Sequence, residues 1–390
     1  MKRFSFLAIA LMAAFSMVAP AASGSDRPAQ AFTVLYSFTG SSDGAYPYGG
    51  LVRDAAGNLY GTTEEGGAFS YGTVFKVDVS GTETVLHSFA GGTTDGEYPL
   101  AGLLRDSAGN LYGTTQGGGP VSAGTVFKID NTGAETVLYT FTGGTTDGCT
   151  PFGGVIQDKS GNLYGTTQDC GAAGFGTVYK LSSAGVLTLL HSFAGGTADG
   201  QDPIYASLLL DSKGNLYGVT DKGGSSDYGV LYKLSKSGKF AILHSFTGAS
   251  TDGCYPLGTP IMDKTGNLYG TTDGCGSSFN AGEVWKLNTS GQETLLHVFA
   301  GGAFDGSFPY AGVLLDTQGN VYGDTQTGGA SGFGVLYKVS KTGTLTLLHS
   351  FSSSDGEYPV GGVLRDAKGI LYGTTNEGGS GGFGTVWSLK

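Results

Sequence analysis

Short apolar runs broken by Gly, Asn and Asp follow one another from Phe32 to the last residue of the chain. Between Tyr98 and Gly148 they are Leu100–Asp106, Leu111–Thr115, Gly124–Asp130 and Glu135–Phe141. The turn Ser107-Ala108-Gly109-Asn110, the Gly-rich loop Gln116–Ala123 and the turn Asn131-Thr132-Gly133 separate them, and Gly143–Gly148 follows. β-branched, aromatic and aliphatic residues bounded by turn formers predict strands, here lettered a to d in chain order. No segment carries the apolar spacing of an amphipathic helix over the dozen or so residues one needs. An all-β chain is expected.

The pattern repeats. Strand b, Leu59-Tyr60-Gly61-Thr62-Thr63, returns at Leu111–Thr115, Leu163–Thr167, Leu216–Thr220, Leu268–Thr272, Val321–Thr325 and Leu371–Thr375, at intervals of 52, 52, 53, 52, 53 and 50 residues. Four antiparallel strands per unit of about 50 residues match the blade of a β-propeller. Seven copies predict seven blades. The seventh unit stops at its strand c, Gly384–Leu389, while a lone strand d, Thr33–Phe38, stands at the front. That strand can complete the last blade, close the ring and cover an unpaired edge.

Met1 to about Ser23 reads as a secretory signal: Lys2 and Arg3, an apolar core Phe4–Val18, and Ala19-Pro20-Ala21 as an A-x-A cleavage site. Residues 24–31 form a short polar leader, and 32–390 a single propeller domain. The apolar run is short for a membrane span and no second one follows. The protein is expected to be secreted or periplasmic, without membrane insertion. Its net charge of −11 becomes −13 once Lys2 and Arg3 are removed, which argues against nucleic acid and anionic lipid as partners. Pro and Gly make up 83 of 390 residues, but the glycines fall in register with the turns, so the composition is not that of a disordered chain. Gly61 and its equivalents lie inside strand b, where a Gly marks a close neighbour, expected to be an aromatic ring of the adjacent blade.

The four cysteines fall in two equivalent pairs. Cys149 and Cys254 occupy the d→a loop, Cys170 and Cys275 the b→c loop, 21 residues later in each case. The third and fifth blades are not neighbours, and a bridge needs Cα atoms within about 7 Å, so Cys149–Cys170 and Cys254–Cys275 are the expected disulfides. Each stabilises by about 3 kcal/mol at most on the chain-entropy model. These bonds would place the d→a and b→c loops on one face of the disc, where a ligand has most to grip.

That face carries Asp43, Asp95, Asp147, Asp199, Asp252, Asp305 and Asp355, each in an Asp-Gly step. A ring of carboxylates could bind sugar hydroxyls or cations, but Asp-Gly is also a turn former, and a residue repeated in every blade serves the blade. No calcium loop is present, and neither a metal nor any other cofactor is expected. Further along the loops come Tyr46, Tyr98, Tyr255, Phe308 and Tyr358, with Thr150 and Asp202 breaking the series. These rings could stack on sugars or pack beneath their loops against the following Pro. All five histidines (His87, His191, His244, His297, His349) share one slot in strand d with Tyr36 and Tyr139, at the rim, where a catalytic role is not expected. A second repeated Asp, such as Asp54, reads as the cap of the a→b turn. Gly378–Gly382 fits G-x-S-x-G, but no strand-to-helix turn surrounds it and no His follows. The repeat is broken most in blade 4 (Gln201–Ser207, with Asp202 and Tyr205, and Lys222) and blade 5 (Thr259-Pro260), so a specific site is expected there.

The string Asp-x-x-Gly-Asn-Leu-Tyr-Gly-Thr-Thr, then Gly-Gly, then Gly-Thr-Val-Phe-Lys resembles the repeat of the bacterial choice-of-anchor tandem-repeat GloVer proteins over nearly all of the mature chain. That family is named for variable C-terminal sorting anchors; with Lys390 as the last residue, no surface anchor is expected here. The resemblance implies no established activity and no catalytic residues. A looser likeness of Asp-x-x-Gly-Asn-Leu to sensor-type propellers implies ligand sensing by analogy. The expected function is a monomeric, non-catalytic binding or scaffold propeller for an extracellular saccharide, a cell-wall component or a protein. The alternative is a polysaccharide lyase or hydrolase on the loop-rich face, for which catalysis would need carboxylates not copied around the ring.

Overall fold

Each repeat folds as a four-stranded antiparallel sheet, and seven such sheets form the blades of a propeller. The computed structural model describes residues 31–390 apart from 250 and 277–279; the expected secretory signal at 1–23 and residues 24–30 of the polar leader lie outside the described residues. Blade 1 consists of Val52–Arg53, Leu59–Thr63, Thr73–Val77 and Glu83–Ser88. No helix occurs among the described residues. The last blade takes its outer strand from Phe32–Ser37, which pairs with Thr385–Leu389 so that Val34 lies opposite Trp387. The closure expected from the offset ends is present.

Strand a is shorter than the apolar run suggests, only two residues being paired in each blade. The reason lies at the axis. A Cβ on Gly49 would meet the backbone of Ala101 and Gly102 in blade 2, and one on Gly50 the carbonyl of Gly361 in blade 7. Neighbouring backbones touch here, so the small pair leaves the ladder to line a narrow shaft. Thr62 donates across this contact to the carbonyl of Ala101 at 2.9 Å, as Thr114 does to Gly153 at 3.0 Å.

Gly61 has a different neighbour from the one expected: the Phe75 ring, from the facing position of strand c in the same blade, folds over it. Phe75 in turn meets Phe38 of the preceding blade edge-on at 5.0 Å. Aromatic pairs recur at every seam, edge-on in Phe89–Phe127, Phe141–Tyr179, Phe193–Tyr232 and Phe299–Tyr337 and tilted in Phe246–Trp285 and Phe351–Trp387. These rings are almost wholly buried and form the core between blades. Aromatic pairing of this kind adds about 0.5–1.5 kcal/mol beyond area burial. The core is therefore seven layers between blades rather than one centre.

Both disulfides form as paired above, with Cα–Cα distances of 5.5 Å and 5.4 Å. The d→a and b→c loops of a blade also pair directly, as in Gly96↔Gly118 and Ala45↔Glu65, and so share one face. On the opposite side, Asp54 accepts from the N–H groups of Gly57 and Asn58, from Asn58 Nδ2 and from the Tyr60 hydroxyl, and so caps the a→b turn.

Candidate functional site

The repeated Asp of the loop face turns outward, toward strand d. Asp95 is 3.2 Å from His87 Nε2 and accepts from the N–H groups of Ala90 and Gly96. Asp199, Asp252, Asp305 and Asp355 meet His191, His244, His297 and His349 in the same way, at 2.9–3.1 Å. Asp43 and Asp147 accept from the hydroxyls of Tyr36 and Tyr139. His and Tyr interchange because each offers a polar group to the same carboxylate. The seven acids and seven ring residues thus clasp the d→a loops onto strand d.

The aromatic series is used at the seams. Tyr46, Tyr98, Tyr255, Phe308 and Tyr358 adopt positive φ, and each donates its N–H to a carbonyl in the b→c loop of the preceding blade. Thr150 and Asp202 do the same. The rings of Tyr46, Tyr98, Tyr255 and Tyr358 meet Phe383, Tyr71, Tyr228 and Phe333 edge-on at 5.5–5.8 Å. Their ring partners are thus aromatic side chains across the seam, met edge-on.

Two residues further along, or three in blade 4, past the Pro, the chain reaches the axis. There Tyr48, Phe152, Tyr205 and Tyr310 crown a cavity of about 330 Å³ lined otherwise by small and aliphatic residues. Tyr205 is the hub: it stacks on Tyr48 at 5.5 Å and meets Phe152 and Tyr310 edge-on at 5.3 and 6.2 Å. Blade 4 has one residue more than its neighbours between Pro203 and its strand a. The extra residue is absorbed in a tight turn, Ala206 N–H to the Ile204 carbonyl at 2.6 Å, with Tyr205 at φ 57°. Tyr205 shares the positive φ of the seam aromatics, and here the turn aims its ring at the axis.

Beside this crown lies a second hollow of about 420 Å³, lined by Tyr205, Tyr310, Lys222 and two acids, Asp221 and Asp273. Both acids directly follow strand b, where four other blades have Gln116, Gln168, Gln326 and Asn376 and blade 1 has Glu64. Burial, with Asp202 and Asp227 nearby, pushes the Asp221 carboxyl up to about 6 against the opposing pull of Lys222. Burial and the Asp221 charge push Asp273 up to about 6 as well, and its Oδ1 is buried without a hydrogen-bond partner. Burial also raises Glu64, the corresponding residue of blade 1. Lys222 reaches 3.1 Å from Asp202, which fixes its amine at the rim of the hollow.

Of the residues singled out in sequence, Tyr205 lines both cavities, Asp202 anchors Lys222, and Tyr255 borders the second hollow. Asp221, Asp273, Tyr48, Phe152 and Tyr310 were not anticipated. A usable sign existed: acids in consecutive blades at a position otherwise mostly amide, and in the same two blades where the repeat is broken.

The chain matches the family model described as Gloeobacter/Verrucomicrobia repeat over residues 25–158, 144–313 and 205–390. No curated protein matches it. Among solved structures, PorZ, a bacterial surface component of the type-IX secretion system of Porphyromonas gingivalis, is 15% identical with a TM-score of 0.55, covering 90% of this chain and 47% of that one. The extracellular domain of a "putative hybrid two component system" of B. thetaiotaomicron is 13% identical with a TM-score of 0.54, covering 92% and 40%. A "putative gluconolactonase" covers 93% of both chains at 12% identity, but its TM-score of 0.46 is too low to bear on function. These likenesses show the fold alone.

Proposed function

The chain belongs to the Gloeobacter/Verrucomicrobia repeat family, and we propose that this member is an exported, non-catalytic propeller that binds a saccharide at its axial mouth. The observation that carries the reading is Tyr205 at the centre of an aromatic crown, with Asp221 and Asp273 beside it. Tyr rings offer flat apolar faces to the C–H faces of a sugar, while carboxylates accept its hydroxyls. A cavity of a few hundred Å³ with a few convergent polar groups is of ordinary ligand-site size. The acids make the mouth negative, so neutral or amino sugars fit it and uronic acids are repelled. Two disulfides suit an oxidising compartment outside the cytoplasm. No helix among the described residues is long and apolar enough to cross a membrane.

The two raised carboxyls favour a second reading, a glycoside-cleaving enzyme, because such groups can exchange protons near neutrality. One experiment separates the two. A glycan array is probed with wild type and Tyr205→Ala, and the bound glycans are then incubated with wild type and assayed for newly released reducing ends. Binding that Tyr205→Ala abolishes, without release, supports the binding module; release abolished by Asp221→Asn or Asp273→Asn supports the enzyme. An array blank for wild type removes both.

A further inference from the structure

At each seam, three side chains meet near the rim: the His or Tyr of one strand d, the Asp of the loop after it, and the first residue of the next blade's strand d. That third residue varies. Between blades 3 and 4 it is Phe240, stacked on His191 with centroids 4.2 Å apart, and between blades 6 and 7 it is Phe32, stacked on His349 at 3.7 Å. Leu187 and Leu345 fill the position at two more seams. In these cases an apolar side chain supplies the third member.

Two seams differ. Between blades 4 and 5, His244 Nε2 lies 3.0 Å from Asp252 Oδ1 and 3.7 Å from Glu293 Oε2. Between blades 1 and 2, His87, Asp95 and Glu135 form the same set, and in each set one ligand atom per residue falls within 4.8 Å of the other two. The side chains of His244, Asp252 and Glu293 are only 18%, 13% and 11% exposed. One carboxylate oxygen each of Glu293 and Glu135 is buried with no hydrogen-bond partner, as is one of Glu83 at the seam between blades 7 and 1, so it is the imidazole that sets the two seams apart. Two carboxylates drawn out of water around one imidazole are costly unless a proton or a metal cation joins them.

We propose that these two seams are binding sites for a first-row divalent cation of the Zn²⁺ type, each held by one imidazole nitrogen and two carboxylates from adjoining blades. The 3.0 and 3.7 Å separations bracket the edge, roughly 3.3 Å, of a coordination tetrahedron with bonds of about 2.0–2.1 Å. One nitrogen and two oxygens suit Zn²⁺ and its neighbours; Ca²⁺ asks for six to eight oxygens. Water completes the shell from the exposed side. The bound ion ties strand d of one blade to strand d of the next. The seam between blades 7 and 1 has the acid, Glu83, but faces it with Tyr36, which offers no nitrogen, and is not a site. The three ligands come together only through the register of adjacent blades, which no spacing along the chain announces.

Protein stripped with EDTA and dialysed is titrated with ZnCl₂ by calorimetry and melted with and without zinc. The variants are Glu135→Leu, Glu293→Leu and the double; Leu already fills this position in Leu187 and Leu345, so the fold accepts it. Wild type is expected to take up about two zinc ions and melt higher with them, as three-ligand sites of this kind allow. Each single variant takes up one and the double none, and zinc leaves the melting temperature of the double unchanged. Folded wild type without saturable zinc uptake overturns the proposal; the seams then hold a proton in place of a metal. Undiminished uptake by the folded double variant overturns it equally.

Discussion

Phe32 lies face to face with the imidazole of His349, ring centroids 3.7 Å apart and planes 5° from parallel. Phe32 opens the strand that completes blade 7, whereas His349 belongs to strand d of blade 6. The N-terminal strand therefore grips two blades, one through its ladder to Thr385–Leu389 and one through this stack. Phe240 and His191 repeat the geometry between blades 3 and 4. The closing seam is thus built like an internal one.

Removing Phe32–Phe38 should abolish cooperative folding. It leaves the edge of Thr385–Leu389 unpaired and withdraws Phe38, wholly buried and 5.0 Å from Phe75, from the seam with blade 1. Phe32→Ala is the milder probe: Phe32 is only half-buried, so the loss should be about 2 kcal/mol, below the usual range for core Phe truncation. Scanning calorimetry checks both. An unchanged melting temperature in the deletion would show that the ring holds without its closing strand.

Three seams carry a defect that can be repaired. Tyr179, Tyr232 and Tyr337 occupy the slot of Phe75 and Phe127 in strand c, and each buries its hydroxyl with no hydrogen-bond partner. A buried unpartnered hydroxyl costs about 1–3 kcal/mol. Tyr179→Phe should raise stability by about 1 kcal/mol, since the ring stays in place against Phe141. Urea denaturation measures this directly. A loss of stability instead would mean that the hydroxyl has a partner in solution.

The architecture was legible because the repeat records it: the spacing of Leu59–Thr63 and its copies counts the blades, and the missing seventh strand d points to the strand that replaces it. The cysteines reported the loop pairing because a bridge tolerates only short distances. The site was less legible. Asp43 and its copies looked like a carboxylate ring, yet their oxygens are taken by strand d and by local N–H groups, contacts that depend on where the loop folds. Gly61 signalled a close ring, but a sequence cannot say whether the ring comes across the ladder or across the seam. Tyr48 and Phe152 went unnoticed because the distance between blades 1, 3 and 4 collapses only at the axis.

Binding at the mouth should depend on pH. A sugar hydroxyl donates best to an ionised carboxylate, so ligand and proton compete for Asp221 and Asp273, both raised to about 6 by burial. Affinity for any glycan found on the array should therefore fall as pH drops from about 8 to about 5. The double variant Asp221→Asn, Asp273→Asn should bind with a flatter profile, because its amides do not titrate. Calorimetric titration at several pH values checks this. A profile of equal steepness in the variant would place the titrating group elsewhere.

Asp324 should make the fold weaker toward neutral pH. It stands in strand b of blade 6, where Thr62, Thr114, Thr271 and Thr374 each donate a hydrogen bond to a carbonyl of the next blade. A carboxylate has no hydrogen to donate. Asp324 is 2% exposed; its carboxyl lies by the Gly362 N–H, with neither oxygen closing a well-formed bond. Burial pushes it up to about 7. In the unfolded chain it titrates in the ordinary range near 3.8. Between these values the folded state holds a proton that the unfolded state has released, so this residue's stabilising contribution is complete below about 4 and lost as pH rises through about 7. Glu83 and Glu283, also raised by burial, contribute in the same sense, so the informative quantity is a difference between proteins. Asp324→Thr restores the hydroxyl of the other blades and removes one titration. Relative to wild type it should gain a few kcal/mol between about pH 4 and pH 8, measured by denaturant unfolding at each pH. A constant difference across that range would show that Asp324 is already ionised in the fold at acid pH.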